Sequence, residues 1–152
     1  MRIALKHDIG LPVRAAFAAA TDFAELERIA QRRGIRVVRT DGLQAPGSGM
    51  SWDIGFRFRG RDRQVATKLT AYDPPRQAVF SGTSQHLSIG LVFSVVALSR
   101  ERSRLLVDIE LRPRTIRARL MIQSARLARG RIERTLRTRF ETFADRLSSQ
   151  AK

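Results

Sequence analysis

Three side chains stand where chemistry could be done. His7 shares an alternating stretch with Ile3, Leu5 and Ile9, so its imidazole points to the apolar side of that segment. There it could orient a ligand carbonyl or act as a base; alternatively it is a core histidine bonded to a neighbouring backbone carbonyl. Arg129 falls between Ile122 and Leu136 on an apolar helical stripe. A buried guanidinium must be paired. It would meet an anionic or carbonyl group of a ligand, meet a protein carboxylate, or lead its charge out along the surface. Trp52 would stack on a ligand or fill the inner face of a sheet. The signatures of catalysis are missing. His7 and His86 lie on different elements, there is no cysteine, and no HExxH occurs, so no metal site is expected. No GxSxG, P-loop or GxGxxG appears, so no cofactor is expected and no catalytic residue can be named. Asp53, Asp108 and Glu110 all alternate away from the apolar side of their segments, so no carboxylate pair converges by parity.

These residues need elements to position them. Residues 2–9 alternate strictly and predict a half-buried strand. Pro12 opens a short alanine-rich helix, Val13 to Ala20, around Phe17. Asp22 with Glu25 caps a second helix through Phe23, Leu26 and Ile29, and Gly34 ends it. From Ile35 the period becomes two. Strands are expected at Ile35–Thr40, Met50–Phe58, Gln64–Tyr72, Gln77–Gly82, Leu87–Leu98 and Leu105–Arg112, with a flexible Gly42–Gly49 stretch and a hairpin at Gly60–Arg61. Six successive strands without crossovers imply an antiparallel meander. Residues 114–148 predict one continuous helix, bent at Gly130. Its stripe is Ala118, Ile122, Ala125, Ile132, Leu136, Phe140, Phe143 and Leu147, flanked by Met121 and Ala128.

The chain has 152 residues, 43% hydrophobic and 28% charged, the balance of an ordinary globule rather than a disordered chain. One domain spanning residues 1–152 is expected. No apolar run reaches the length of a membrane span, and no secretory signal opens the chain, so a cytoplasmic location is expected. The formal net charge is +15, and 26 of the 29 bases are arginine. Residues 112–139 alone carry ten arginines against Glu133, and Ile116, Leu120 and Leu127 lie opposite the core stripe. A basic helix with spare apolar residues suits an anionic membrane surface, an acidic partner or a homodimer. Nucleic acid is disfavoured, since the bases are not interleaved with aromatics. The bland alternative is a solvated face.

This order of elements resembles the helix-grip fold of the START-like (SRPBCC) superfamily, which includes the birch-pollen-allergen-like proteins and the polyketide cyclase/dehydrase group. The likeness rests on the first strand running into Pro12-Val13 and Phe17, then Thr21-Asp22-Phe23, similar to the family's opening. The Trp52–Phe58 strand, the Asp73-Pro74-Pro75 turn and the Phe140–Leu147 helix end also fit. It covers essentially the whole chain, and its motifs mark fold rather than catalysis. The tryptophan often found in the family's second helix is absent; Leu26-Glu27-Arg28 stands there. The resemblance implies an α+β protein, a curved antiparallel sheet of about seven strands wrapped around a long C-terminal helix. It also implies an apolar cavity between sheet and helix that holds a lipid, quinone or polyketide-like molecule. His7, Trp52, Ile54, Phe56, Met121, Ala125 and Arg129 would line it. The alternatives are a polyketide cyclase/dehydratase-like enzyme and a basic module docking on anionic membrane or an acidic partner.

Overall fold

The computed structural model describes residues 1–150. The strictly alternating start forms β1 (Arg2–Ile9), which buries Ile3, Leu5 and Ile9 while Arg2, Ala4 and Lys6 face outward. Pro12, extended at φ −60°, precedes α1 (Val13–Ala20). Asp22 then caps α2 (Phe23–Arg32), its carboxylate accepting from the Glu25 N–H at 3.2 Å. The helix closes on Gly34, whose φ of +80° suits only a residue without a Cβ. There the N–H groups of Gly34 and Ile35 turn back to the carbonyls of Gln31 and Ala30.

Six strands follow: β2 (Arg36–Arg39), β3 (Ser51–Phe58), β4 (Arg61–Asp73), β5 (Gln77–Thr83), β6 (Leu87–Ala97) and β7 (Ser103–Pro113). All pairings are antiparallel, and β1 closes the far side in the order β1-β7-β6-β5-β4-β3-β2. The β3–β4 turn is made by Arg59 and Gly60, both at positive φ, one residue earlier than the spacing predicts. A register shift between Leu69 and Ala71 reverses parity along β4, so that Leu69 and Tyr72 both reach the inner face.

The predicted single C-terminal helix is two helices, α3 (Ile116–Leu127) and α4 (Arg129–Gln150). Ala128 leaves helical geometry at φ −104° and ψ 19°, and its N–H bonds tightly back to the Ala125 and Arg126 carbonyls. The physical cause is tertiary. α3 packs on β7, whereas α4 packs along β1 and against α1. Gly130 sits inside the first turn of α4 and does not mark the break. The 22-residue α4 spans about 33 Å and is the helix that the sheet grips.

The core divides along the sheet. At the β1 end, Phe140, Ala144 and Leu147 of α4 are buried with Ile3, Leu5 and Leu105. In the middle, Phe17 and Phe23 reach down from α1 and α2 into Tyr72, Phe93, Trp52 and Phe80, with ring centroids 5.5 to 6.3 Å apart. Toward β2 the inner face lies under α2. No helix of the described residues is long and apolar enough to cross a membrane.

Candidate functional site

That uneven cover leaves a cavity of about 430 Å³ between α2 and the inner face of β2 to β6. α2 supplies Phe23, Leu26, Glu27 and Ala30, and the facing strands supply Val37, Trp52, Ile54, Phe56, Phe80 and Leu91 among others. The alternation of β3 puts Trp52, Ile54 and Phe56 on one wall. Small residues keep the space open. Gly82 of β5 lies on the wall between Val65 and Ile89, and Ala30 faces it from α2.

The wall is apolar except at three groups. Trp52 Nε1 donates to Glu27 Oε1 at 2.8 Å, which ties α2 to β3 and places a carboxylate on the cavity wall. The Thr67 hydroxyl is the third. Behind Trp52, the Arg39 guanidinium lies 5.8 Å from the ring centroid. Arg39 is fixed in turn by Asp41, through Nε at 2.8 Å and Nη2 at 2.6 Å. Asp41 also accepts the backbone N–H groups of Ser51 and Leu43. The Arg39 hydrogen bonds, with the Ser51 N–H next, hold the Asp41 carboxyl well below the usual carboxylate range. The loop that precedes β3 is thereby pinned beside the indole.

Of the residues expected to share a site, the structure brings together Trp52, Ile54 and Phe56. The other four lie elsewhere. His7 does face inward from β1, but that end of the sheet is covered by α4, and its Nε2 lies 3.5 Å from Asp145 Oδ1. Met121 is exposed and Ala125 half-buried on α3, which supplies none of the cavity's walls. Arg129 turns outward, donating from Nε to Glu133 at 2.8 Å and from Nη2 to the Arg2 carbonyl at 2.7 Å. Its charge is met by protein groups, so no ligand oxygen is required there. The cavity expected against the C-terminal helix therefore lies against α2 instead. The residues that the sequence reading passed over, Glu27 and Ala30, had a signal: with Phe23 and Leu26 they fall on one helical face at i, i+3, i+4 and i+7.

No protein-family model matches the chain, and no curated protein matches it by sequence. Solved structures do match its fold. The Zhui aromatase/cyclase from Streptomyces sp. R1128 is similar with a TM-score of 0.74 at 12% identity, over 100% of this chain and 96% of that one. A norcoclaurine synthase point mutant from Thalictrum flavum, in complex with a transition-state analogue, gives 0.70 at 8% identity over 100% and 96%. A START superfamily protein from Mycobacterium smegmatis gives 0.59 at 14% over 93% and 97%. The chain has the START-like helix-grip fold.

Proposed function

We propose that the protein binds an apolar small molecule in the cavity beneath α2, held between Trp52, Ile54 and Phe56 on the sheet and Phe23 and Leu26 on the helix. One observation carries this reading: an apolar space of about 430 Å³, within the size range of ligand sites, beside an otherwise well-filled aromatic core. At ~30 Å³ per water-sized group it has room for roughly fourteen such groups, the bulk of a fused ring pair or a medium-length acyl chain. Water has few hydrogen-bonding partners on these walls, which favours an apolar occupant. Glu27, having accepted from Trp52, retains acceptor capacity for one hydroxyl or N–H of that molecule. This gives orientation in an otherwise greasy slot.

Trp52 is the single tryptophan, so its emission reports occupancy of the cavity. Ligand-stripped protein should bind the neutral apolar dye Nile red with a change in Trp52 emission. Native mass spectrometry of protein from its own host should show a co-purifying apolar compound. Ala30→Phe, which drives a ring from α2 into the cavity, should abolish dye binding while leaving the circular dichroism spectrum intact. Dye binding that survives Ala30→Phe unchanged would overturn the assignment. The carboxylate on the wall favours a second reading, a cyclase/dehydratase-like enzyme in which the same walls fold a reactive chain and Glu27 moves its proton. In that case Glu27→Gln would remove turnover and keep binding.

A further inference from the structure

α3 presents two faces of opposite use. Ala118 is fully buried and Ile122 nearly so, whereas Ile116, Leu120 and Leu127 are 78%, 59% and 93% exposed. At ~100° per residue these three exposed side chains fall within about 40° of one another, on the side of the helix opposite Ala118 and Ala125. Arg117 borders this apolar ridge on one side, and Arg119 and Arg126 border it on the other. The neighbouring ion pairs are Arg112 with Glu110 and Arg129 with Glu133; α3 itself contains no acid. The ridge is thus a strip of leucine and isoleucine flanked by three arginines, one on one side and two on the other, none of which is paired with a carboxylate among the described residues.

The placement of α3 extends the pattern. Its start is tied to the β5–β6 turn, where the Arg114 N–H donates to the His86 carbonyl at 2.7 Å and Arg114 Nη1 donates to the Ser84 carbonyl at 2.6 Å. Strand register puts that turn, the end of β7 and the tip of the β3–β4 hairpin at one end of the sheet. The hairpin tip carries Phe58, 50% exposed, among Arg57, Arg59 and Arg61. Phe56, Val65, Gly82 and Ile89 of the cavity wall belong to the same end.

We propose that this end of the protein docks on an anionic lipid surface. Ile116, Leu120 and Leu127 enter the boundary between headgroups and acyl chains, and Arg117, Arg119 and Arg126 lie at the level of the phosphates. Charge decides between occupants. A second copy paired through the ridge would set Arg117, Arg119 and Arg126 of both copies against one another with no carboxylate on α3 to answer them. A nucleic acid would take the arginines but leave Leu127 in water. A bilayer with acidic headgroups meets both features together. The docking rests on α3 and the hairpin, independently of what the cavity holds.

The chain has no cysteine, so a single introduced thiol takes a label uniquely. Leu127→Cys carrying an environment-sensitive fluorophore should shift to the blue on vesicles of 30% phosphatidylserine in phosphatidylcholine, and stay unshifted on phosphatidylcholine alone. The same label at Ser99→Cys, in the turn at the other end of the sheet, should not move. Arg117, Arg119 and Arg126 replaced together by Gln should weaken vesicle co-sedimentation by about a hundredfold, and Leu127→Ser by roughly tenfold. All these positions are exposed, so the variants should melt at the parent's temperature, which checks that the fold is kept. Equal binding to neutral vesicles would overturn the proposal. So would a label at residue 127 that stays in water while the protein binds, or self-association through the ridge without lipid.

Discussion

Replacing Gly82 by Ala measures whether the space under α2 is free of packed side chains. Gly82 is buried, and its backbone lies outside the left-handed region, so alanine fits its conformation. A Cβ there would lie 3.0 Å from Val65 Cγ1, 3.5 Å from Ile89 Cβ and 3.8 Å from Thr67 Oγ1. In a filled core the first of these contacts would force side chains off their rotamers and cost about 1–3 kcal/mol. Val65, however, fronts the cavity, and its methyl can retreat by a few tenths of an ångström into open space. The terms that remain are favourable. A buried methyl contributes about 0.8 kcal/mol, and loss of the glycine's freedom in the unfolded chain contributes about 0.4–1 kcal/mol. Residual strain at Val65 offsets part of this. Gly82→Ala should therefore stabilise the ligand-free protein by about 1 kcal/mol, or ~2–4 °C in Tm for a chain of this size. Urea titration should show a higher midpoint at unchanged m. A destabilisation above about 1 kcal/mol would refute the reasoning, because Val65 would then have nowhere to go.

Three further outcomes follow from the same contacts. Glu27→Ala leaves the indole N–H of Trp52 without its acceptor and should cost about 1–2 kcal/mol, with a shift in Trp52 emission; Glu27→Gln keeps an acceptor and should cost less than half of that in the same urea titration. The carboxyls of Asp41, Asp8, Glu25 and Asp108 are all held low, each first by a hydrogen bond from an arginine side chain. A lowered folded-state pKa adds stability that is complete above the unfolded carboxylate value near ~4 and is lost as pH falls through the folded value. Tm should thus be level from neutrality to about pH 5 and fall steeply below about pH 4, with a shallower acid limb in Asp41→Asn; a fall already between pH 8 and 6 would contradict the assignment. Arg129→Met removes an exposed pairing with Glu133 and should change stability by no more than about 0.5 kcal/mol, with Nile red affinity unaltered. A loss of dye affinity would return Arg129 to the site.

The fold was legible because strand parity and helix caps are local. Alternation along β1 and β3 alone tells which side chains turn inward, and the register of β1 on β7 follows that parity residue by residue. Asp22 and Gly34 mark the ends of α2 by chemistry that needs no tertiary partner. The break at Ala128 was not legible, because alanine is the best helix former and nothing local stops the helix there. It arises where two segments of one apolar stripe settle on different strands, α3 on β7 and α4 on β1. Gly130, the residue with the local signal, is absorbed in the first turn of α4.

The site was legible only in part for the same reason. Parity fixes the face of a sheet but not which element covers a given stretch of it. His7 and Trp52 both turn inward, yet His7 lies under α4 and Trp52 lies under α2. Which of them meets a filled core depends on the size of side chains far apart in sequence. Phe140 and Leu147 close the β1 end, and Phe17 and Phe23 close the centre. Under α2 the space meets Ala30 from the helix and Thr67 and Gly82 from β4 and β5, none of which alone signals a cavity. The space is the shortfall of three small side chains that meet only in the folded chain. Its one charged wall residue is a glutamate that shares a helical face with Phe23, Leu26 and Ala30 of α2. Read with the tryptophan that donates to it, Glu27 is the point at which the sequence comes closest to showing the cavity.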